Sequence, residues 1–406
     1  VGWLLIRYTA SQKWQAIYAK PQFNEGVLPH APSPVANVSI LHASDLHISE
    51  DDDIPITEGG LAFLKPEIQA MLNAITRDAH SCDAVLLTGD ITDTGAANAW
   101  LRFLDNCPPD LQSKVLLVPG NHDLNFQDSL LAAQAERAGG AGRRRRQIRM
   151  IAAMCELMQE RPLLLDRATD RIIPLKRYVE RQFRKYPSAS SAAAMPPKMI
   201  ENLWRSLFPM VVPVGSERDG KRLGVILLDS VKPNSIGLTN AIGTLTPGTN
   251  EACRTLINRL ADTCDSFVFA LHHHVAMPLG GRARDRVQNP GLVLENAGVL
   301  IETLRMRGEP TIVFHGHRHK TYTGTATDSD VAIIASPSAS IGKGNAIGHG
   351  SWRIADLFCS PDGCWLTDVP RRISMAGVPD DPFPPRVDPL SETLVNTPFS
   401  PHEPRS

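Results

Sequence analysis

The sequence contains no apolar run that approaches the roughly 20 residues a membrane-spanning helix requires. It contains no Cys-x-x-Cys pair. Its seven cysteines (Cys82, Cys107, Cys155, Cys253, Cys264, Cys359 and Cys364) are odd in number and scattered. That pattern excludes a disulfide framework and points to reduced thiols in a cytoplasmic protein. Cys359 and Cys364 are close enough to pair across a turn, but two separate thiols are the first reading. Net charge is nearly absent as well. The formal value is −1, so no global field draws the chain to nucleic acid or to a membrane. No internal repeat is seen, so the chain is not an array of like units. The apolar opening Val1-Gly2-Trp3-Leu4-Leu5-Ile6 is too short for a signal-peptide core. Because the first residue is Val1 and not Met, the start of the natural chain is expected further upstream.

What is present is an ordinary globular composition, 42% apolar and 21% charged, as in a soluble enzyme. The 406 residues suffice for one large domain with insertions or for two domains. The organising stretch is Val115-Leu116-Leu117-Val118-Pro119-Gly120-Asn121-His122-Asp123. An apolar run reads as a buried strand, and Pro-Gly stops it at a turn. An amide, an imidazole and a carboxylate follow at once. Val38–Ser44 runs into Asp45-Leu46-His47 in the same way, and Ala84–Gly89 runs into Asp90-Ile91-Thr92-Asp93. Each strand delivers metal-type ligands at its C-terminal end, where open α/β sheets place their sites.

The rest of the chain falls around these segments. Residues 1–37 carry Trp3, Tyr8, Trp14, Tyr18 and Phe23 before a Pro-rich link, and are expected to form a peripheral extension. The main domain spans 38–378. After His47 comes an acidic loop, Glu50-Asp51-Asp52-Asp53, read as solvated. Helices are expected at 58–80, 96–106, 249–263 and 292–306. Further strands are expected at 223–229, 267–271 and 311–314, and a closing meander for the second sheet at 321–326, 331–335 and 351–358. Residues 124–222 read as a helical insertion. Its segment 137–205 holds sixteen Arg plus Lys against six Asp plus Glu, a local charge of +10 that includes Arg143–Arg146. One reading is a lid that attracts an anionic substrate; the preferred reading is a solvated face or loop. From Pro379 to Ser406 prolines crowd a polar tail without periodicity, expected to be disordered.

Two more strands end in histidines: Phe267–Leu271 in His272-His273-His274, and Thr311–Phe314 in His315-Gly316-His317-Arg318-His319. The collected set is Asp45, His47, Asp90, Asn121, one of His272–His274, His317 and His319. It mixes imidazole with oxygen and has no thiolate, which suits Mn²⁺, Fe, Zn²⁺ or Co²⁺ better than Ca²⁺ or Mg²⁺. There are too many ligands for one tetrahedral ion. Two ions sharing a carboxylate fit, and such pairs lie about 3.5–4 Å apart where they act on phosphoryl groups. Asp229-Ser230 is expected near the site, and His315 to be a core or supporting histidine.

Asp45-x-His47, Gly89-Asp90-x-x-Asp93, Gly120-Asn121-His122-Asp123, the His272–His274 block and Gly316-His317-x-His319 together resemble the ordered motifs of the calcineurin-like metallophosphoesterases. In wording they are most similar to the bacterial class III cyclic-nucleotide phosphodiesterase branch. The resemblance covers about 38–358, with 124–222 outside it. It implies a four-layer α/β/β/α sandwich of two mixed sheets with the site at one edge. It implies a binuclear metal-dependent phosphoesterase acting on a small phosphodiester through a hydroxide generated between two metal ions (Mn²⁺, Fe or Zn²⁺). Phosphomonoesterase and nuclease are the alternatives on the same site, and a non-catalytic scaffold is the remote one.

Carried onto this chain, the resemblance gives Asp45, His47 and His319 to the first metal, with Asp90 bridging. Asn121, His317 and one of the three histidines go to the second. His122 would act on the phosphate and the leaving oxygen, with Asp123 orienting its ring and Asp93 behind. In that family the histidine ligand stands two residues before a proline. Val275 holds the proline's place if His273 is the ligand, so His273 is the expected one. On a strand His272 and His274 would face the opposite way. The expected partner is a small phosphoester; nucleic acid is not favoured, and no membrane is expected.

Overall fold

The apolar runs are strands because each is buried on both faces, as parallel strands sandwiched between other layers must be. The computed structural model describes residues 23–49, 66–125, 140–185, 196–215, 222–232, 242–276, 294–339 and 350–374. Among them the strands are β1 Phe23–Glu25, β2 Val38–Ala43, β3 Ala84–Thr88, β4 Val115–Val118, β5 Leu163–Asp166, β6 Arg171–Pro174, β7 Met210–Val214 and β8 Leu223–Leu227. They continue as β9 Ser266–Ala270, β10 Thr311–His315, β11 Tyr322–Ala326, β12 Val331–Ala335, β13 Ser351–Ser360, β14 Gly363–Leu366 and β15 Arg371–Ser374. The helices are α1 Pro66–Ala79, α2 Ala97–Asn106, α3 Pro109–Gln112, α4 Asn121–Leu124, α5 Ala141–Met158, α6 Leu175–Arg184, α7 Pro197–Leu207, α8 Thr249–Arg259 and α9 Ala297–Arg305.

Two sheets form. One is nine-stranded in the order β1-β11-β12-β10-β9-β8-β7-β5-β6; the other runs β14-β13-β2-β3-β4, with β15 paired to β13. Alternate residues of the larger sheet divide between two apolar clusters. Val268, Ala270, Ile312, Phe314 and Ile334 join β2, β3 and β4 in the layer between the sheets. Phe267, Phe269, Val313 and Ile333 pack outward with α8 and α9. On the far face of the smaller sheet α1 and α2 bury Met71, Leu72, Ile75, Trp100 and Phe103. This is a mixed α/β sandwich with helices on both outer faces.

β2, β3 and β4 are mutually parallel, as are β8, β9, β10 and β12. Parallel pairing sets all their C-terminal ends at one side of their sheet. The two sheets are stitched together there. Ser44 bridges Ser338, Ala339 N–H donates to Ser44 O at 2.8 Å, and Ser336 Oγ donates to His42 O at 3.1 Å.

Several elements differ from expectation. The described residues between 163 and 214 are not helical throughout. β5, β6 and β7 extend the large sheet, with β7 antiparallel to β8 along Met210–Val214. The third strand of the expected meander changes sheets, since β13 pairs antiparallel with β2. The end of the N-terminal extension is an edge strand, β1 against β11. The acidic loop 50–53, residues 1–22 and the tail 379–406 lie outside the described residues. No helix among the described residues is long and apolar enough to cross a membrane. Cys359 and Cys364 are cross-strand neighbours in β13 and β14, two buried thiols with Sγ atoms 3.0 Å apart.

Candidate metal centre

Where β2, β3 and β10 end, the chain turns by placing ligand residues themselves in the left-handed region. Eight described non-glycine residues have positive φ, and five of them are Asp45 (56°), His47 (49°), Asp90 (51°), His317 (77°) and His319 (54°). A non-glycine residue pays on the order of 1 kcal/mol for this conformation and keeps it only where its surroundings dictate it. Here backbone bonds dictate it. Asp45 N–H donates to Gly89 O and His47 N–H to Asp90 O, both at 3.0 Å. His317 N–H donates to Asp45 Oδ2 at 3.0 Å. Strain at one end of the sheets turns five ligand-type side chains toward one another.

Three groups of metal-type donors result, each with its ligand atoms within 4.8 Å: Asp45, His47 and His319; His47, Asp90 and His122; Asp90, His272 and His317. His47 and Asp90 are shared, so the groups form one continuous set. His47 Nε2 lies 3.2 Å from His319 Nε2. His272 Nε2 lies 3.0 Å from Asn121 Oδ1, 3.0 Å from His317 Nδ1 and 3.2 Å from Asp90 Oδ2. Asp45 Oδ1 is buried without a hydrogen-bond partner among the described residues and lies 3.4 Å from His319 Nε2. Facing ring nitrogens cannot all be donors to one another, so these lone pairs point at space a cation would fill. The residues fit a pair of metals that share a carboxylate.

Charge tells the same story. Burial would raise the Asp90 carboxyl, but the charges of His272 and His122 hold it well below the usual range. Burial would lower His272 and His122, yet Asp90 beside them pushes both up to about 9. A metal ion beside Asp90 would take the place of protons on these rings.

The structure brings His272, not His273, to Asp90 and Asn121. β9 ends at Ala270, so strand alternation no longer sets the directions beyond it. His272 O accepts Gly316 N–H at 3.1 Å, and Thr88 O accepts His272 Nδ1–H at 2.7 Å. That carbonyl fixes the tautomer and leaves the Nε2 lone pair inward, the usual support of a ligating imidazole. His273 turns to Ser230, whose Oγ lies 2.9 Å from Nδ1. Asp229 holds Trp204 Nε1–H at 2.8 Å instead of entering the site. His315 is buried against the Tyr322 hydroxyl, 3.1 Å from Nε2.

Asp123 also differs from expectation. It does not orient His122, because adjacent residues on a helix point in different directions. Its fully buried carboxylate accepts the N–H groups of Gly120 at 3.0 Å, Thr92 at 2.9 Å and Ile91 at 3.3 Å, and the Thr92 hydroxyl at 2.9 Å. It ties the Asp90 loop to the Asn121 loop. Asp93 serves His122: Nδ1–H donates to its carbonyl at 2.9 Å, and its carboxylate lies 3.4 Å from both His122 Nδ1 and His47 Nδ1. Nε2 of His122 is left 3.9 Å from Asp90 Oδ2.

Gly120 shows how tightly the loops are joined. A Cβ there would fall 2.0 Å from Asp90 N and 2.2 Å from Asp90 Oδ1. Gly120→Ala is expected to lower stability by about 2 kcal/mol or more. It should weaken metal affinity on the order of tenfold to a hundredfold, as misplacing a ligand's support does. Thermal unfolding and metal titration check both effects.

Residues 38–170, about a third of the chain, match the calcineurin-like phosphoesterase family. Solved structures that the chain is similar to include a dimetal phosphatase from Danio rerio, 12% identical, covering 84% of this chain and 99% of that one with a TM-score of 0.44. A purple acid phosphatase from yellow lupin is 12% identical over 85% of this chain with a TM-score of 0.40; this chain spans 52% of it. A calcineurin-like phosphoesterase from Bacillus subtilis is 10% identical over 84% of this chain and 92% of that one, with a TM-score of 0.35. Among curated proteins none matches the chain.

Proposed function

We propose that the protein is a binuclear metal-dependent phosphodiesterase acting on a small diester such as a cyclic nucleotide. The family indicates a metal-dependent phosphoric ester hydrolase. The observation that carries the binuclear reading is the sharing of Asp90 between the donor group of His47 and that of His272 and His317. Asp45, His47 and His319 would hold one ion, and Asn121, His272 and His317 the other, with Asp90 between. Mn²⁺, Fe and Zn²⁺ all suit this imidazole and carboxylate set. When bound, such ions neutralise phosphoryl charge and make water a nucleophile at neutral pH.

The chain's own contribution centres on His122. The Asp93 carbonyl takes its Nδ1–H, which assigns Nε2 to the reaction. A proton held at Nε2 offsets charge on the phosphoryl oxygens and passes to the departing oxygen. The Asp93 carbonyl and carboxylate fix the His122 ring, and Asp123 locks the two loops that carry Asp90 and His122. The cytoplasm is the proposed compartment, on the cysteine pattern.

The diester preference rests on the wording of the motifs Ser44-Asp45-Leu46-His47, Thr88–Asp93 and Pro119–Asp123. It is tested by hydrolysis of bis(4-nitrophenyl) phosphate and 4-nitrophenyl phosphate, with and without added Mn²⁺, followed by 3′,5′-cyclic AMP. Mn²⁺-dependent turnover, faster on the diester, is the expected result. Faster turnover of the monoester would make the protein a phosphatase. The nuclease alternative needed Arg143–Arg146 as an exposed clamp. Arg143 and Arg146 are 2% and 7% exposed, which counts against it.

A further inference from the structure

The buried face of α5 is one continuous stripe of two compositions. Toward its C-terminal end it presents Met150, Met154, Leu157 and Met158, which pack on β4; Met158 Sδ lies 3.3 Å from Leu117 N. Toward its N-terminal end the same stripe presents Arg143, Arg146 and Gln147. The switch follows what the stripe faces. Strand side chains lie under one half, and the loops that leave the strand ends, rich in carbonyls, lie under the other.

The arginines stand where local physics disfavours them. α5 begins at Ala141 with no acidic residue in its first turn, and Arg143–Arg146 follow directly. The positive end of the helix dipole costs such cations about 0.3–1 kcal/mol each. A break in a local rule points to a task elsewhere.

The contacts define that task. Arg146 Nε donates to Leu124 O at 3.0 Å. Arg149 donates to Gly95 O at 2.9 Å. Arg143 donates to Asn125 Oδ1 and, at 3.4 Å, to Val231 O. Leu124 and Asn125 close the single turn that carries Asn121 and His122, with Asn125 N–H donating to Asn121 O at 2.8 Å. Gly95 belongs to the loop of Asp90 and Asp93, and its N–H reaches Thr92 Oγ at 3.1 Å. Gly95 has φ +65°, and a Cβ there would meet Asp123 O at 2.3 Å and Arg146 Cδ at 2.5 Å. The Arg146 stem is wedged against both loops.

We propose that Arg143, Arg146 and Arg149 are positioning residues: a rail of guanidinium groups along α5 that holds the His122 turn in register with the Asp90–Asp93 loop. The rail itself is a statement about structure. Its catalytic consequence rests on the phosphodiesterase reading.

Arg146→Met keeps the stem and removes the donor. Backbone hydrogen exchange of 120–125 is expected to quicken roughly tenfold in this variant, with β10 unchanged. If His122 protonates the leaving oxygen, its misplacement matters most for a poor leaving group. For aryl methyl phosphate diesters, kcat should fall on the order of tenfold to a hundredfold with a phenyl leaving group and under about threefold with 4-nitrophenyl, at nearly constant KM. His122→Ala should show the same split, and adding Arg146→Met to it should cost little more. Arg146→Lys should recover part of the loss. Arg145→Met, on the exposed side, should match wild type.

Equal losses on both leaving groups, or losses additive with His122→Ala, would overturn the positioning role. Unchanged exchange at 120–125 would overturn the rail. Should Arg146→Met not fold, Arg149→Met, half-buried beside the stripe, carries the same measurements. Absence of diester hydrolysis in wild type would remove the phosphodiesterase reading, and the exchange result would still decide the rail.

Discussion

Asp90→Ala is expected to reduce phosphoester hydrolysis on the order of a thousandfold or more, because a shared ligand supports several kcal/mol of charge stabilisation. The Asp90 carboxylate serves several groups at once. Oδ1 accepts the His122 backbone N–H at 2.8 Å, and Oδ2 lies 3.2 Å from His272 Nε2 and 3.9 Å from His122 Nε2. Asp90 belongs to two of the three donor groups. Its removal takes the common ligand from both proposed ions and the acceptor of the His122 backbone N–H. The apolar layer between the sheets is untouched, so the variant should fold. Steady-state kinetics with saturating Mn²⁺ make the test. A variant that keeps its rate within tenfold would remove Asp90 from the bridging position.

The second large effect separates two neighbouring histidines. His272→Ala deletes the nitrogen that meets Asn121, His317 and Asp90, and metal affinity should fall by about a hundredfold or more, with the rate following. His273→Ala deletes a ring whose polar partner is Ser230 Oγ and whose fully buried face lies against Gly243. It should cost roughly 1–3 kcal/mol of stability through an unpartnered hydroxyl and a cavity. Its rate should change by less than about tenfold. Metal titration and thermal unfolding of both variants give the comparison. The reverse ranking would return the ligand role to His273.

Those two histidines mark the limit of what the sequence could say. Strands β2, β3, β4, β9 and β10 were legible because doubly buried strands read as unbroken apolar runs, and their ends could be placed to within a residue or two. The ligand-type residues at those ends followed from that placement. The direction of a side chain past a strand end did not, since alternation lapses once pairing stops at Ala270. The contacts of Asp123 are not legible in the sequence for a simpler reason. Sequence neighbours on a helical turn diverge, and the true neighbour of His122, Asp93, comes from another loop. The short strands β5 and β6 carry too few residues to show a period. The arginine run of α5 reads as solvent-facing until it is placed on the same stripe as Met150 and Met154. A spacing of three and four from Arg143 through Arg146 to Met150 was the available signal.

The central claim is a pair of metal sites joined by one carboxylate, and calorimetric titration of the metal-free protein with Mn²⁺ tests it most directly. Two equivalents per chain are expected for the wild type, and no more than one tight equivalent for Asp90→Ala. A single equivalent in wild type, or two tight equivalents surviving in Asp90→Ala, would contradict it.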